Sequence, residues 1–152
     1  MEFRVKDFMS KDIKSMLPDM NAKDALKMLL ETGMSGLPII DKDDNIIGVF
    51  TEKEVLKAIL PAYIKAVGTF VYAEDSKAEL RKIANLDKFL VKELMRREVS
   101  IIDENSSLAE ASRIMLTKSE RRILVVKDKK PVGIITRSDV VKGLAEKAGV
   151  AF

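Results

Sequence analysis

The chain has 152 residues, 47% hydrophobic and 34% charged, with neither cysteine nor histidine. Those two absences exclude a disulfide framework, a thiolate nucleophile, a Ser–His pair and an ordinary zinc site; carboxylate chemistry remains possible, while most familiar enzyme constellations are excluded. The net charge of +3 is the difference between 27 basic and 24 acidic residues, well mixed along the chain, which is too even for a dedicated nucleic-acid binder.

The balance of apolar and charged residues is that of a globular domain. No apolar run nears the ~20 residues of a spanning helix, and Met1–Asp7 lacks the apolar stretch of a signal peptide, so the expected location is the cytoplasm. High Lys and Glu content without Cys or His also suits a thermophile source.

In chain order, Val5 to Met9 opens a first unit. Ile13-Lys14-Ser15-Met16 is expected as a short strand and Leu17-Pro18-Asp19 as a turn. Asn21 then reads as an N-cap with Asp24 in the third helical position, followed by Ala22, Ala25, Leu26, Leu29 and Leu30 at helical spacing and by Gly33 as a stop. Leu37–Ile40 and Ile46–Phe50 flank the polar run Asp41–Asn45 and read as a hairpin. Thr51-Glu52-Lys53-Glu54 is a capping box that opens a helix with Val55, Leu56, Ala58 and Ile59 on its apolar side.

Pro61 should end or kink that helix. Ser76-Lys77-Ala78-Glu79 reads as a further capping box, launching a helix with Leu80, Ile83, Ala84 and Leu86 on one face. Phe70-Val71-Tyr72 ahead of it is apolar enough to pack on a core, so residues 61–90 are expected as a structured linker.

From Val91 the pattern starts again. Val91–Met95 lies over Val5–Met9 at an offset of 86, Ser107–Glu110 over Asn21–Asp24, and Ile123–Val126 over Leu37–Ile40. One residue is missing from the second hairpin turn, Lys127–Lys130. Gly133-Ile134-Ile135-Thr136-Arg137-Ser138-Asp139 then repeats Gly48-Val49-Phe50-Thr51-Glu52-Lys53-Glu54. Each unit therefore reads strand, helix, strand, strand, helix. The expected fold is α+β, with two pseudo-symmetric repeats (residues 1–60 and 91–152) packed through their small sheets.

These residues resemble the CBS domain family, in the tandem arrangement called a Bateman module. The resemblance covers about residues 5–60 and 91–147. It is carried by Ser35-Gly36-Leu37-Pro38-Ile39-Ile40-Asp41 before the first turn, by the Gly-x-x-Thr-x-x-Asp/Glu junction in both copies, and by Met9 and Met95 at the repeat starts. With no enzyme, channel or DNA-binding domain attached, the chain looks like a stand-alone module and not an enzyme. The resemblance implies a regulatory unit that senses an adenosyl ligand (AMP, ADP, ATP or S-adenosylmethionine) in clefts between the repeats and dimerises into a disc of four repeats.

Carried onto this sequence, the resemblance assigns the first cleft to Thr136 and Asp139, with Ile134 along the base. An aspartate accepts from both vicinal hydroxyls of a ribose through charge-assisted bonds, and the exposed amides at the helix start favour an anion. Ser10, Ile13, Met34, Ser35 and Pro38 would close this pocket. Arg121, Arg122 and Lys14 would meet phosphate, for which a guanidinium is suited by its bidentate geometry. The second cleft would use Val49, Thr51 and Glu54 with Val99, Ser100, Ile101 and Glu120. There Glu54 is one methylene longer than the usual aspartate and Glu120 adds negative charge, so this cleft is expected to be weaker. Read without the resemblance, both Thr-x-x-acid sequences are simply capping boxes, and Arg121-Arg122 is a solvated pair near Glu120. A constitutive scaffold with degenerate clefts is the alternative function; nucleic-acid binding is a lesser one. No catalytic residue, metal site or membrane role is expected.

Overall fold

The computed structural model describes residues 2–11, 13–60 and 76–151. Pro61 and Phe70-Val71-Tyr72 lie outside them. The elements in chain order are β1 (Ser10–Lys11), α1 (Ala22–Thr32), β2 (Gly36–Ile40), β3 (Ile46–Thr51), α2 (Glu52–Ile59), α3 (Ser76–Ala84), α4 (Val91–Leu94), β4 (Ile101–Asp103), α5 (Leu108–Thr117), β5 (Arg122–Lys127), β6 (Lys130–Thr136) and α6 (Arg137–Lys147), with short 3₁₀ turns at Val5–Asp7 and Leu86–Lys88. The strand–helix–strand–strand–helix order thus occurs twice in an α+β chain. One expectation fails: the opening strand is Ser10–Lys11, not Ile13–Met16, of which Met16 alone makes a bridge, to Ile39.

The chain divides into two compact units. Unit 1 comprises Met1–Lys14, Asp43–Ile46 and Glu98–Phe152; unit 2 comprises Ser15–Lys42 and Ile47–Arg97. The opening segment of the first repeat is therefore built into the unit of the second, and the opening segment of the second repeat into the unit of the first.

In unit 1 the sheet runs β1-β6-β5-β4. β1 and β5 flank β6 antiparallel, and β4 runs parallel to β5. Residues 128 and 129 join β5 to β6 with φ of 51° and 67°, the twist a two-residue hairpin requires, adopted here without glycine. Beneath the sheet lies a core of Val5, Phe8, Ile102, Leu108, Ala111, Met115, Ile123, Val125, Ile135 and Val140. The Phe8 ring rests on α6 where Gly143 leaves room: a Cβ there would lie 2.4 Å from the ring. Phe3 meets Phe8 edge-on at 5.6 Å, and the Lys147 ammonium sits 5.2 Å from the Phe3 centroid, a cation–π contact.

Unit 2 repeats the plan with less regular pairing. β2 and β3 form the hairpin. Met16 bridges to Ile39 in parallel, where β4 stands in unit 1, and Arg96 bridges to Val49 in antiparallel, where β1 stands. The core is Met16, Ala22, Ala25, Leu29, Leu37, Ile39, Phe50, Val55, Leu86 and Val91. Most of these sit 86 residues before a core residue of unit 1, or 85 after the shorter turn. Val5 and Val91 are the informative exception, because each opens one repeat and is buried in the core that the other repeat supplies.

The helices form where the capping signals stand. Asn21 accepts from the Asp24 amide and Ser107 from the Glu110 amide. α2 ends at Ile59, and Leu60, the residue before Pro61, is already extended at ψ 138°. Burial corrects the apolar faces: Leu30 is 71% exposed and Leu56 54% exposed, while Val55 and Ile59 turn inward; likewise Val140 is buried and Val141 is 68% exposed.

Two glycines explain how the opening segments fit. A Cβ at Gly133 would stand 2.5 Å from the Ser10 carbonyl oxygen and 3.0 Å from Met9 Sδ; at Gly48 it would stand 2.6 Å from Met95 Sδ and 3.0 Å from the Arg96 carbonyl oxygen. Gly133→Ala forces a backbone oxygen to move and should destabilise by ~1–3 kcal/mol, more than Gly48→Ala, where a flexible methionine is the first to yield; urea unfolding of the two variants compares them. After α5, Ser119 takes φ of 52° at the position where Gly33, at φ 69°, follows α1. Ser119→Gly should therefore raise stability by about 0.5–1 kcal/mol, read by the same denaturation.

Candidate functional site

In each unit the third strand of the repeat runs into a helix through a threonine, and the candidate residues gather at this junction. In unit 1 Thr136 ends β6 and caps α6. Its amide donates to Asp139 Oδ2 at 2.9 Å, and the Asp139 amide donates to Thr136 Oγ1 at 3.1 Å. Both residues are half-buried. Ser10 pairs with Ile134 and Arg122 with Thr136. Residues directly opposite across a ladder share a sheet face, as do residues two apart along a strand. Ser10, Ile134, Thr136 and Arg122 therefore share one face of the sheet. The Arg137 amide donates to the Arg121 carbonyl at 3.1 Å and Arg137 Nε to the Glu120 carbonyl at 3.1 Å, while the Ser100 hydroxyl reaches Glu120 Oε1 at 3.4 Å.

The sequence assigned Val99, Ser100, Ile101 and Glu120 to the cleft of Thr51 and Glu54. In the structure these four lie in the unit of Thr136, together with Ile13 and Lys14, the division between repeats that the resemblance implies. Met34, Ser35 and Pro38, assigned with Thr136 and Asp139, belong to the unit of Thr51. There the Ser35 carbonyl accepts from the Glu52 amide at 2.9 Å, the counterpart of the Arg121–Arg137 bond. Met34 and Ser35 line a groove of about 350 Å³ with Glu52, Val55, Leu56 and Ile59. Pro38 is fully buried and its carbonyl accepts from the Met16 amide.

The junction of unit 2 differs in burial. Thr51 is 4% and Glu54 3% exposed, and among the described residues these are the buried polar side chains. The Thr51 amide donates to Glu54 Oε1 at 3.2 Å, the Thr51 hydroxyl donates to the same oxygen, and the Lys53 amide donates to Thr51 Oγ1 at 3.1 Å. Glu54 Oε2 is buried without a hydrogen-bond partner. Stranding a buried polar atom costs ~1–3 kcal/mol, more for a charged group. That oxygen is thus an acceptor positioned for a donor that the described protein residues do not supply.

Arg96 is the residue sequence reasoning missed. Its amide donates to the Val49 carbonyl and its carbonyl accepts from the Val49 amide, both at 2.9 Å, and its Nε is buried without a partner. The signal was present: Arg96 lies 86 residues after Ser10 and plays the same part in its sheet. Chemically, the junctions offer hydroxyl acceptors, helix-start amides and arginines, which is the equipment of a binding site. Among the described residues no group of three or more His, Cys, Asp or Glu is placed to hold a metal ion, and no helix is long and apolar enough to cross a membrane.

Comparison with known proteins agrees with this architecture. The chain is 28% identical over 155 aligned positions to the chloroplastic CBS domain-containing protein CBSX1 of Arabidopsis thaliana, covering 92% of this chain and 63% of that one. The crystal structure of the CBS-pair protein CBSX2 from Arabidopsis thaliana superposes with a TM-score of 0.78 at 25% identity, covering 99% of this chain and 100% of that one. A structure of CBSX2 in complex with AMP superposes with a TM-score of 0.72 at 26% identity, covering 96% and 98%. A family model for the CBS domain matches residues 5–61 and 91–146. With the repeat, its junctions and its exchanged opening segments all in place, the chain belongs to the CBS domain family.

Proposed function

We propose that this chain is a regulatory module that binds an adenosyl ligand, with the two Thr-x-x-acid junctions as its ribose clamps. The observation that carries the reading is the Glu54 carboxylate, almost wholly buried, with one oxygen spent on Thr51 and the other unpartnered. A ribose hydroxyl is the neutral donor that suits such an oxygen. The Thr136–Asp139 junction has the same caps and a shorter acid, and it keeps its role as a clamp. CBSX2, whose structure holds AMP, supports adenine nucleotides as the class to try first. Ligand binding would bias the arrangement of the two repeats, and the available energy is the difference in affinity for the alternative arrangements.

The test is thermal unfolding with AMP, ADP, ATP and S-adenosylmethionine. At a hundredfold excess over Kd a ligand adds ~2.7 kcal/mol, which for a chain of this size raises Tm by roughly 5–10 °C. Absence of any shift at millimolar concentration would reject the reading in favour of a scaffold with degenerate clefts. Asp139→Ala and Glu54→Gln should each lower affinity about tenfold at their own junction by removing a charge-assisted acceptor, seen as loss of one class of sites in a calorimetric titration.

A homodimer is the second part of the proposal. Leu30 and Leu56 in unit 2, and Leu116 and Val141 in unit 1, are all more than half exposed on equivalent helix positions. Apolar side chains exposed twice in the same pattern suit a self-complementary contact. Light scattering should give a dimer for the natural chain and a monomer for Leu116→Glu combined with Val141→Glu, with unchanged circular dichroism.

A further inference from the structure

The exposed faces of the paired helices carry the same apolar pattern in both units and opposite charge. Arg137 is the first residue of α6, and Glu52, its counterpart 85 residues earlier, is the first residue of α2. Both side chains are exposed, and neither enters an ion pair among the described residues. In unit 2, Glu52 is the one charged residue among the described residues that line the groove between α1 and α2, where it stands with Leu26, Leu30, Leu56 and Ile83. In unit 1 a depression along α6 is lined by Arg137 and Lys142 with Ser138, Val141 and Ala145, and by no carboxylate among the described residues.

The two faces also differ in relief. The unit 2 groove is lined by three helices, because Ile83 of α3 joins α1 and α2 along it. The depression of unit 1 is lined by α6 alone, and there the apolar side chains project: Leu116 of α5 is 79% and Val141 of α6 68% exposed. Two grooves set face to face would enclose unfilled space, which forfeits dispersion contacts, and would bring Glu52 against Glu52. Two unit 1 faces would bring Arg137 and Lys142 against their own kind, and like charges opposed across a contact cost binding energy. Set against each other, unlike faces oppose Glu52 to cations and give Leu30 and Leu56 the projecting Leu116 and Val141 to bury. We propose that self-association joins unlike faces, the α5–α6 face of unit 1 in one copy seating in the α1–α2 groove of unit 2 in a second copy. The pairing rests on the homodimer proposed above and adds which faces meet.

The chain has no cysteine, so introduced thiols report on their own positions alone. Leu30→Cys and Leu116→Cys, both at exposed sites, are made in separate chains of distinguishable mass and treated with a short bis-maleimide. Neither variant alone should crosslink, and the mixture should give the heterodimer of the two. Charge reversal is the second reading. Glu52→Arg or Arg137→Glu alone should weaken self-association about tenfold, and both together, which keep the composition and net charge of the natural chain, should return it to within about threefold, as read by sedimentation. Crosslinking of either variant with itself, no crosslink in a mixture that is dimeric by light scattering, or association unmoved by both single reversals overturns the pairing while leaving the dimer standing. A monomer by light scattering overturns the dimer and the pairing with it. Should a cysteine variant fail to fold by circular dichroism, the charge-reversal series decides.

Discussion

Everything in the two sheets depends on a pair of close backbone crossings. The Ser10 segment lies over Gly133 and the Arg96 segment over Gly48, each so near that a methyl group would intrude. Glycine is weak in a strand, since it loses conformational entropy and packs nothing. Here the absent Cβ is what lets the opening segment reach the ladder at all. That contact fixes the edge of each sheet, and the edge fixes which residue faces the threonine that starts the following helix. Ser10 and Arg96 are thus placed by the same constraint that places Thr136 and Thr51.

The junctions show how one set of atoms can cap a helix and still leave an acceptor for the ligand proposed above. A capping box needs a threonine oxygen and an acidic oxygen at the helix start. It leaves the acid's second oxygen without structural duty. In unit 1 the acid is half-buried, where water can satisfy that oxygen. In unit 2 the extra methylene of Glu54 carries the carboxylate into a buried position, and the structural cap coexists with an unmet hydrogen-bonding demand. Capping and ligand contact are therefore not rival accounts of these residues.

Much of this was legible in the residues. The offset between the repeats, the caps at Asn21 and Ser107 and the hairpins at Asp41–Asn45 and Lys127–Lys130 are local signals, and the elements formed where those signals stood. What was not legible depends on partners distant in sequence. Ile13–Met16 has the composition of a strand, yet only Met16 makes a bridge, to Ile39, while Ser10–Lys11 forms the strand, beside Gly133 of β6; no local propensity records either pairing. Leu30 and Leu56 fall at helical spacing with buried residues, and only packing shows that they lie on the outer side. Arg96 went unremarked because its neighbours Arg97 and Glu98 make it look like part of a charged surface run. Its place opposite Val49 is a pairing visible only when the repeat is traced back to Ser10.

The exchange of opening segments also bears on the order in which the chain can be completed. Synthesis proceeds from the N-terminus, and Ser10 leaves the ribosome about 120 residues before Ile134, the residue it pairs with. Unit 2 draws its parts from the middle of the chain and has all of them once Arg97 has emerged. Unit 1 must wait for β6, with Val5 and Phe8 exposed meanwhile. Closing so long a loop is slow relative to local structure formation. While β6 is still to be made, unit 2 already has all the segments it is built from, and β6, the later partner, is the strand that receives β1.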